Sequence, residues 1–249
     1  MTFVAGPSFL CLMALISIVA GAAKGLTGFG GALVMAPLFS LMLPANTAGA
    51  LVVMVHCATS MQGIRRWRRE TRWIAVMPLG ITAITLTAVG THYLSDPAGV
   101  IGEHTQVARR LVGVVVLLVT AAHISGWRWQ HTGGWWPTIT AGAISGTLTA
   151  LGGLGGPPAV YYFNAVAQGA TLRANLLGYF ALLFGGAALL LLIEGHISSG
   201  LLATAVVLIP PFAVGVLLGE RYSLTMSRRF VERSVSTLLL ASGLVAMFS

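Results

Sequence analysis

Gly28-Phe29-Gly30-Gly31 and Gly153-Leu154-Gly155-Gly156 stand 125 residues apart in a chain of 249. The first follows Gly21-Ala22-Ala23-Lys24-Gly25-Leu26-Thr27. The second follows Ser145-Gly146 and Gly152 and leads into Pro157-Pro158. Glycine tolerates left-handed and extended backbone and lets other groups approach closely. Each cluster interrupts apolar sequence, so a helix is expected to break there and restart, at about Gly31 and about Pro157. Proline suits the first turn of a helix, where its missing N–H is not needed. The first N–H groups of a restarted helix have no partner within it and point at the break. Two such helix starts make an anion site near the middle of a membrane. Close helix packing through small residues is the alternative reading. It accounts better for a single GxxxG than for two dense clusters at matching places.

The same offset aligns Ala45 with Ala170, Leu51 with Leu176 and Gly90 with Gly215. Residues 1–124 and 125–249 therefore read as two repeats of one integrated transmembrane domain. Composition agrees: 56% of residues are apolar and 8% are charged, against about 25% charged in soluble domains. That excludes a soluble globular protein and a disordered one. The apolar runs are long and do not alternate with polar residues, which excludes an outer-membrane barrel. They fall at 8–23, 28–43, 47–64, 73–94, 107–126, 135–150, 153–168, 172–194, 198–219 and 230–248. The expected fold is an all-α polytopic membrane protein of about ten segments, in two inverted five-segment repeats with broken, glycine-rich helices.

Charge supplies the inversion. The loop after the third run holds Arg65, Arg66, Arg68, Arg69 and Arg72, whereas its partner after the eighth run holds Glu194 and His196. The loop after the fourth run holds Asp96 and Glu103, whereas its partner after the ninth holds Arg221, Arg228 and Arg229. Equivalent loops of opposite character lie on opposite sides of a membrane, with arginine inside. Five spans per half put both termini outside, in the periplasm of a cell inner membrane, and put Arg128 inside. The excess of 14 Lys and Arg over 6 Asp and Glu then reflects anionic lipid rather than nucleic acid. Residues 8–23 resemble a signal peptide, but no basic residue precedes them, so they are expected to be the first span. Trp127, Trp129, Trp135 and Trp136 read as an interfacial aromatic belt, and Cys11 and Cys57 as core residues.

The candidate substrate-binding residues are Lys24, Gly28, Gly30, Gly31, Gly153, Gly155, Gly156, Pro157, Asn164, Arg173 and Asn175. Lys24 is the only lysine, and a cation at that depth is costly unless it faces water or a partner. A snorkelling residue is its alternative, and a loop arginine is the alternative for Arg173. Asn164, Thr171 and Asn175 can donate to oxyanion oxygens or serve as caps and interhelical bonds. His56, in the middle of the third run, is the proton-coupling candidate, with a structural buried histidine as the alternative. His123 lies near the end of the fifth run. No metal site, cofactor site or enzyme motif is present: there is no HExxH, GxSxG or phosphate loop, and no pair of carboxylates lies in a span.

Gly28-Phe29-Gly30-Gly31 followed by Pro37, and Gly152-Gly153-Leu154-Gly155-Gly156-Pro157 followed by Tyr161-Tyr162, resemble the two signature segments of the sulfite exporter TauE/SafE family of membrane transporters. The resemblance runs on through Gly215-Val216-Leu217-Leu218-Gly219 to Met247. Phe29 and Ala32 depart from the more glycine-rich members. The resemblance implies a membrane transporter, an exporter of small sulfur-containing anions such as sulfite, sulfoacetate or other organosulfonates; the absence of enzyme motifs points to a non-enzymatic secondary transporter, and the two repeats to alternating access. Its partners would be the anionic substrate and the lipid bilayer, with a homo-oligomer left open. A passive anion channel and a non-transporting membrane assembly subunit are the alternatives.

Overall fold

A computed structural model describes residues 7–62, 64–94, 105–126, 133–223 and 228–248. These residues form helices and their connections and no strand. The first half holds α1 (Pro7–Thr27), α2 (Gly31–Ser40), α3 (Ala45–Ser60), α4 (Ile64–Glu70), α5 (Trp73–Leu94) and α6 (Thr105–Ile124). The second holds α7 (Trp135–Gly152), α8 (Gly156–Val166), α9 (Gly169–Ile193), α10 (Ser199–Ser223) and α11 (Arg228–Phe248). Both glycine clusters break the chain between helices, and α2 and α8 begin at Gly31 and Gly156, 125 residues apart.

Among the described residues of the second half, α4 has no counterpart. The sequence suggests a plain loop for its arginines, but Ile64–Glu70 closes a helical turn. Trp67 is buried, and its indole donates to the carbonyl of Gln62 at 3.0 Å. Thr71 donates to the carbonyl of Ala174 at 3.0 Å, and the Arg72 N–H donates to Asn175 Oδ1 at 2.8 Å. The arginine segment is thereby fastened to α9. Asp96, Glu103, Trp127, Arg128 and Trp129 lie outside the described residues. Trp135 and Trp136 are exposed at the start of α7.

Among the described residues, four helices are long and apolar enough to cross a membrane: α1, most of α5, α9 and most of α10. α2 and α8, with 10 and 11 residues, are each about half the length a span needs. Large apolar side chains point outward along the bundle, among them Ile74 (91% exposed), Leu118, Leu192, Ile193 and Leu217. In water such a surface would be unstable; in a bilayer it is the solvent-matched face.

The two halves are interwoven. α1 packs along α10, α5 along α7, α6 against α11 and α3 against α9. One apolar core gathers α1, α2, α3, α6, α10 and α11, a second gathers α5, α7, α8 and α9 with Val53 of α3, and a small third joins Trp67 of α4 to Ala174 and Ala181 of α9. Small residues make the closest crossings. A methyl group at Gly21 would overlap the carbonyl oxygen of Phe212, and one at Gly25 that of Val216. Gly215 and Gly219 answer from α10, against the carbonyls of Ile18 and Ala22. Gly146 of α7 meets the carbonyl of Ala83 on α5 in the same way. The packing reading therefore holds for these glycines, beside the helix breaks.

Gly215→Ala should destabilise the folded protein by about 1–3 kcal/mol, the usual cost of overpacking. Gly185→Ala, where nothing stands within 4 Å of an added methyl, should leave stability unchanged or raise it by up to about 1 kcal/mol. Unfolding of both variants in detergent checks this.

Candidate functional site

The first break is built by Thr27. Its hydroxyl donates to the carbonyl of Ala23 at 2.8 Å and accepts from the N–H groups of Gly30 at 3.1 Å and Phe29 at 3.4 Å. Gly28 turns left-handed at φ 86° and sends its N–H back to the carbonyl of Lys24. α2 then starts at Gly31, and its first intrahelical bond from beyond the start is Val34 N–H to the carbonyl of Gly30 at 3.2 Å. Gly31, Ala32 and Leu33 are the first three residues of the helix and are all buried. No side chain caps this start among the described residues. Three N–H groups thus face the break in an apolar interior, with the positive end of the peptide dipoles behind them.

Polar side chains gather around that start. The Nδ1 of His56 on α3 sits 2.9 Å from the carbonyl of Val52, so Nδ1 carries the proton. The other ring nitrogen, Nε2, lies 3.0 Å from where a methyl on Gly31 would be, and it has no hydrogen-bond partner among the described residues. The imidazole is flanked by the rings of Phe184 at 5.0 Å and Phe212 at 4.8 Å. Lys24 is buried to 6% exposure. Its ammonium donates to Thr59 at 3.4 Å and stands 5.6 Å from the Phe212 ring centre. Ser60, one residue on, is fully buried, and its hydroxyl has no hydrogen-bond partner among the described residues. Lys24, His56, Gly31, Thr59 and Phe212 thus form one cluster drawn from α1, α2, α3 and α10.

The second break has different chemistry. Gly153 turns left-handed at φ 74°. Its N–H and that of Leu154 return to the carbonyls of Thr149 at 2.8 Å and Leu148 at 3.0 Å. Ser145 donates to the carbonyl of Gly155 and accepts from the hydroxyl of Tyr179. Thr149 donates to the carbonyl of Ser145 at 2.8 Å. α8 then opens with Gly156-Pro157-Pro158, so two of its first three residues have no N–H to offer. The position that Lys24 fills in the first half is Thr149 in the second, 125 residues on. The breaks touch: a methyl on Gly156 would lie 3.8 Å from the carbonyl oxygen of Phe29 and 3.6 Å from the ring of Phe180.

Of the remaining candidates, Asn175 is buried and accepts from the Arg72 N–H. Asn164 is exposed on α8. Arg173, with its side chain 67% exposed on the first turn of α9, is paired with Glu220 of α10. Glu220 also acts through its charge on Lys24. Sequence reading did not single out Glu220, Phe212, Thr59, Ser60, Ser145 or Tyr179. Only Ser145 and Thr149 carried a local signal, as polar residues inside the second glycine segment.

A methyl on Gly155 would overlap Thr149 and stand 2.7 Å from the carbonyl of Ser145, whereas Gly156 has ordinary contact distances around it. Gly155→Ala should therefore lower thermal stability, by about 1–3 kcal/mol as for other overpacked sites. Gly156→Ala should fold like the parent. Unfolding temperatures of the two purified variants, measured side by side, check the contrast.

Similarity to known proteins agrees with this architecture. The chain is 25% identical over 225 residues to the "Probable sulfite/organosulfonate exporter TauE" of Cupriavidus necator, covering 87% of this chain and 85% of that protein. No solved structure matches. The family model described as sulfite exporter TauE/SafE matches residues 13–246. With nearly its whole length inside that match, the chain belongs to the sulfite exporter TauE/SafE family.

Proposed function

We propose that the protein is a secondary transporter that exports small sulfur-containing oxyanions or organosulfonates, and that it holds the anionic head at the start of α2. The observation that carries this reading is the buried, uncapped start at Gly31, Ala32 and Leu33, with Lys24 and His56 beside it. An anion accepts from all three N–H groups at once, and the Lys24 ammonium offsets its charge. The sulfur in the proposed substrate comes from the family and from the printed name of the relative. The site itself supports "small oxyanion".

In this reading Gly156 and Phe180 form the opposite wall, and the second repeat acts as the braced partner of the first. Gly28 and Gly153 supply the left-handed turns that open each break, and Gly30, Gly155 and Pro157 shape them. Arg173 works at the mouth, where its exposed guanidinium attracts anions and its pairing with Glu220 links α9 to α10. Asn175 keeps the arginine segment attached to α9, and Asn164 serves the outer end of α8. Residues 1–124 and 125–249 are inverted repeats of five segments, ten in all, which rock about the site to expose it alternately. The paired packing of α1 with α10 and α5 with α7 supports two equivalent repeats, and the opposite charge of equivalent loops supports their inversion.

Sulfite, thiosulfate, sulfoacetate and carboxylate controls should be titrated into purified protein. Raised unfolding temperature with a sulfur oxyanion is the expected result, and no response to any anion would overturn the reading. Lys24→Gln should weaken binding by roughly ten- to a hundredfold, the worth of one charge-assisted hydrogen bond. Arg173→Gln should slow uptake of anion at low salt more than it changes affinity at equilibrium. Calorimetry and flux in liposomes at two salt concentrations separate the two effects.

With arginine on α4 and around Arg221, those ends face the cytoplasm and both chain termini face the periplasm. Reporter fusions at Ser249 and after Arg72 should score on opposite sides of the membrane. The same side for both would remove the five-plus-five inverted arrangement.

A further inference from the structure

The anion-carrier reading leaves one atom without a task. His56 is 2% exposed, its Nδ1 is committed to the carbonyl of Val52, and its Nε2 borders the first residue of α2. Histidine is mostly neutral at neutral pH. With the proton on Nδ1, neutral His56 presents a bare lone pair at Nε2. That lone pair lies beside Gly31, the first of the three residues whose N–H groups would draw an anion. An oxygen lone pair meeting a nitrogen lone pair in a buried site is unfavourable, and neither can turn to water.

We infer that the site at α2 binds an anion together with one proton, which comes to lie between His56 Nε2 and the anion oxygen. The inference rests on the anion-carrier reading and narrows its substrate class. An oxyanion bearing its own O–H, such as hydrogen sulfite, brings the proton and donates it to Nε2. A sulfonate has no O–H at neutral pH, so it takes the proton from solution onto Nε2, which then donates to the sulfonate oxygen. In both cases one N–H···O or O–H···N bond forms, Val52 keeps its bond from Nδ1, and the charge entering the site is that of the anion plus one proton. Transport of a sulfonate would then move a proton with it.

The groups facing His56 decide when the proton is taken up. α1 presents Lys24, already donating to Thr59, and its positive charge opposes a second proton on the imidazole until the anion's charge offsets it. α10 presents Phe212 and, farther out beside Lys24, Glu220. α9 presents Phe184, and α2 presents Gly31. Cys57 is the neighbouring titratable group on α3 itself. None of these side chains is hydrogen-bonded to Nε2 among the described residues.

The test is calorimetry of methanesulfonate binding to the intact detergent-purified protein at neutral pH, in a series of buffers that differ in ionisation enthalpy. The slope of apparent heat against buffer enthalpy counts protons. Uptake of about one proton per anion is expected. His56→Gln, whose amide can donate without an added proton, should bind methanesulfonate with no uptake. His196→Gln, at the exposed end of α9 beside Glu194, should retain it. Binding by the parent with a flat buffer series would overturn this inference and leave the anion site standing. Failure of the parent to bind methanesulfonate, sulfite or sulfoacetate would overturn both. If His56→Gln does not fold, the parent series alone still decides.

Discussion

Backbone touches backbone where α1 crosses α10, and the rest of the site takes its register from that crossing. Gly21 and Gly25 on one helix and Gly215 and Gly219 on the other leave no room for a methyl group. Lys24 sits between the first pair, and Glu220 directly follows the second. Phe212, whose carbonyl abuts Gly21, turns its ring toward Lys24, His56 and Gly31. Lipid offers helices little hydrophobic reason to associate, so close approach of small residues supplies the attraction. The same approach fixes which side chains converge. A helix shift of one turn would carry Lys24 about 5 Å from its partner and dissolve the cluster.

The two helix breaks differ in how their polar groups are satisfied. At the first, Thr27 satisfies Phe29 and Gly30, leaving the α2 amides facing the gap with charge and an imidazole nearby. At the second, Ser145 and Tyr179 satisfy the loop, and Pro157 and Pro158 remove amides that would otherwise lack partners. A membrane interior tolerates irregular backbone only where each polar group finds a partner or lines a polar cavity. The second break meets the first condition. At the first break the start of α2 has no side-chain cap among the described residues, and buried Lys24 and His56 stand beside it.

Much of this was legible in sequence because dense glycine in an apolar run serves either a helix break or a close helix crossing, and both occur here. Both breaks, their spacing and the restart at Gly31 could be read from residue type and position, whereas the burial of Lys24, for which sequence leaves a snorkelling side chain as the alternative, is seen only in the structure. The restart at Gly156 came one residue ahead of the expected proline. What sequence could not supply was which helix lies beside which. Phe212 and Glu220 look like ordinary members of an apolar run and its charged end, and they acquire meaning only because α10 returns to α1 across nearly the whole chain. The Arg173–Glu220 pair is likewise a product of tertiary placement. α4 was hidden for a different reason: its helical turn is short and arginine-rich, and hydropathy reads such segments as loops.

The exchange of α5 and α10 between the halves has a consequence for how the protein is made. α1 leaves the ribosome well before α10, and the surface that fits Gly21 and Gly25 lies some 190 residues later in the chain. During synthesis α1 must wait in the bilayer with its glycine face open to lipid and Lys24 without Thr59 or Glu220. A lone ammonium at depth is costly, so the early segment has reason to ride near the interface or against another helix. Insertion and assembly are therefore separate events for this chain. The long wait between them favours membranes, or insertion machinery, that can shelter one polar helix until its partner arrives.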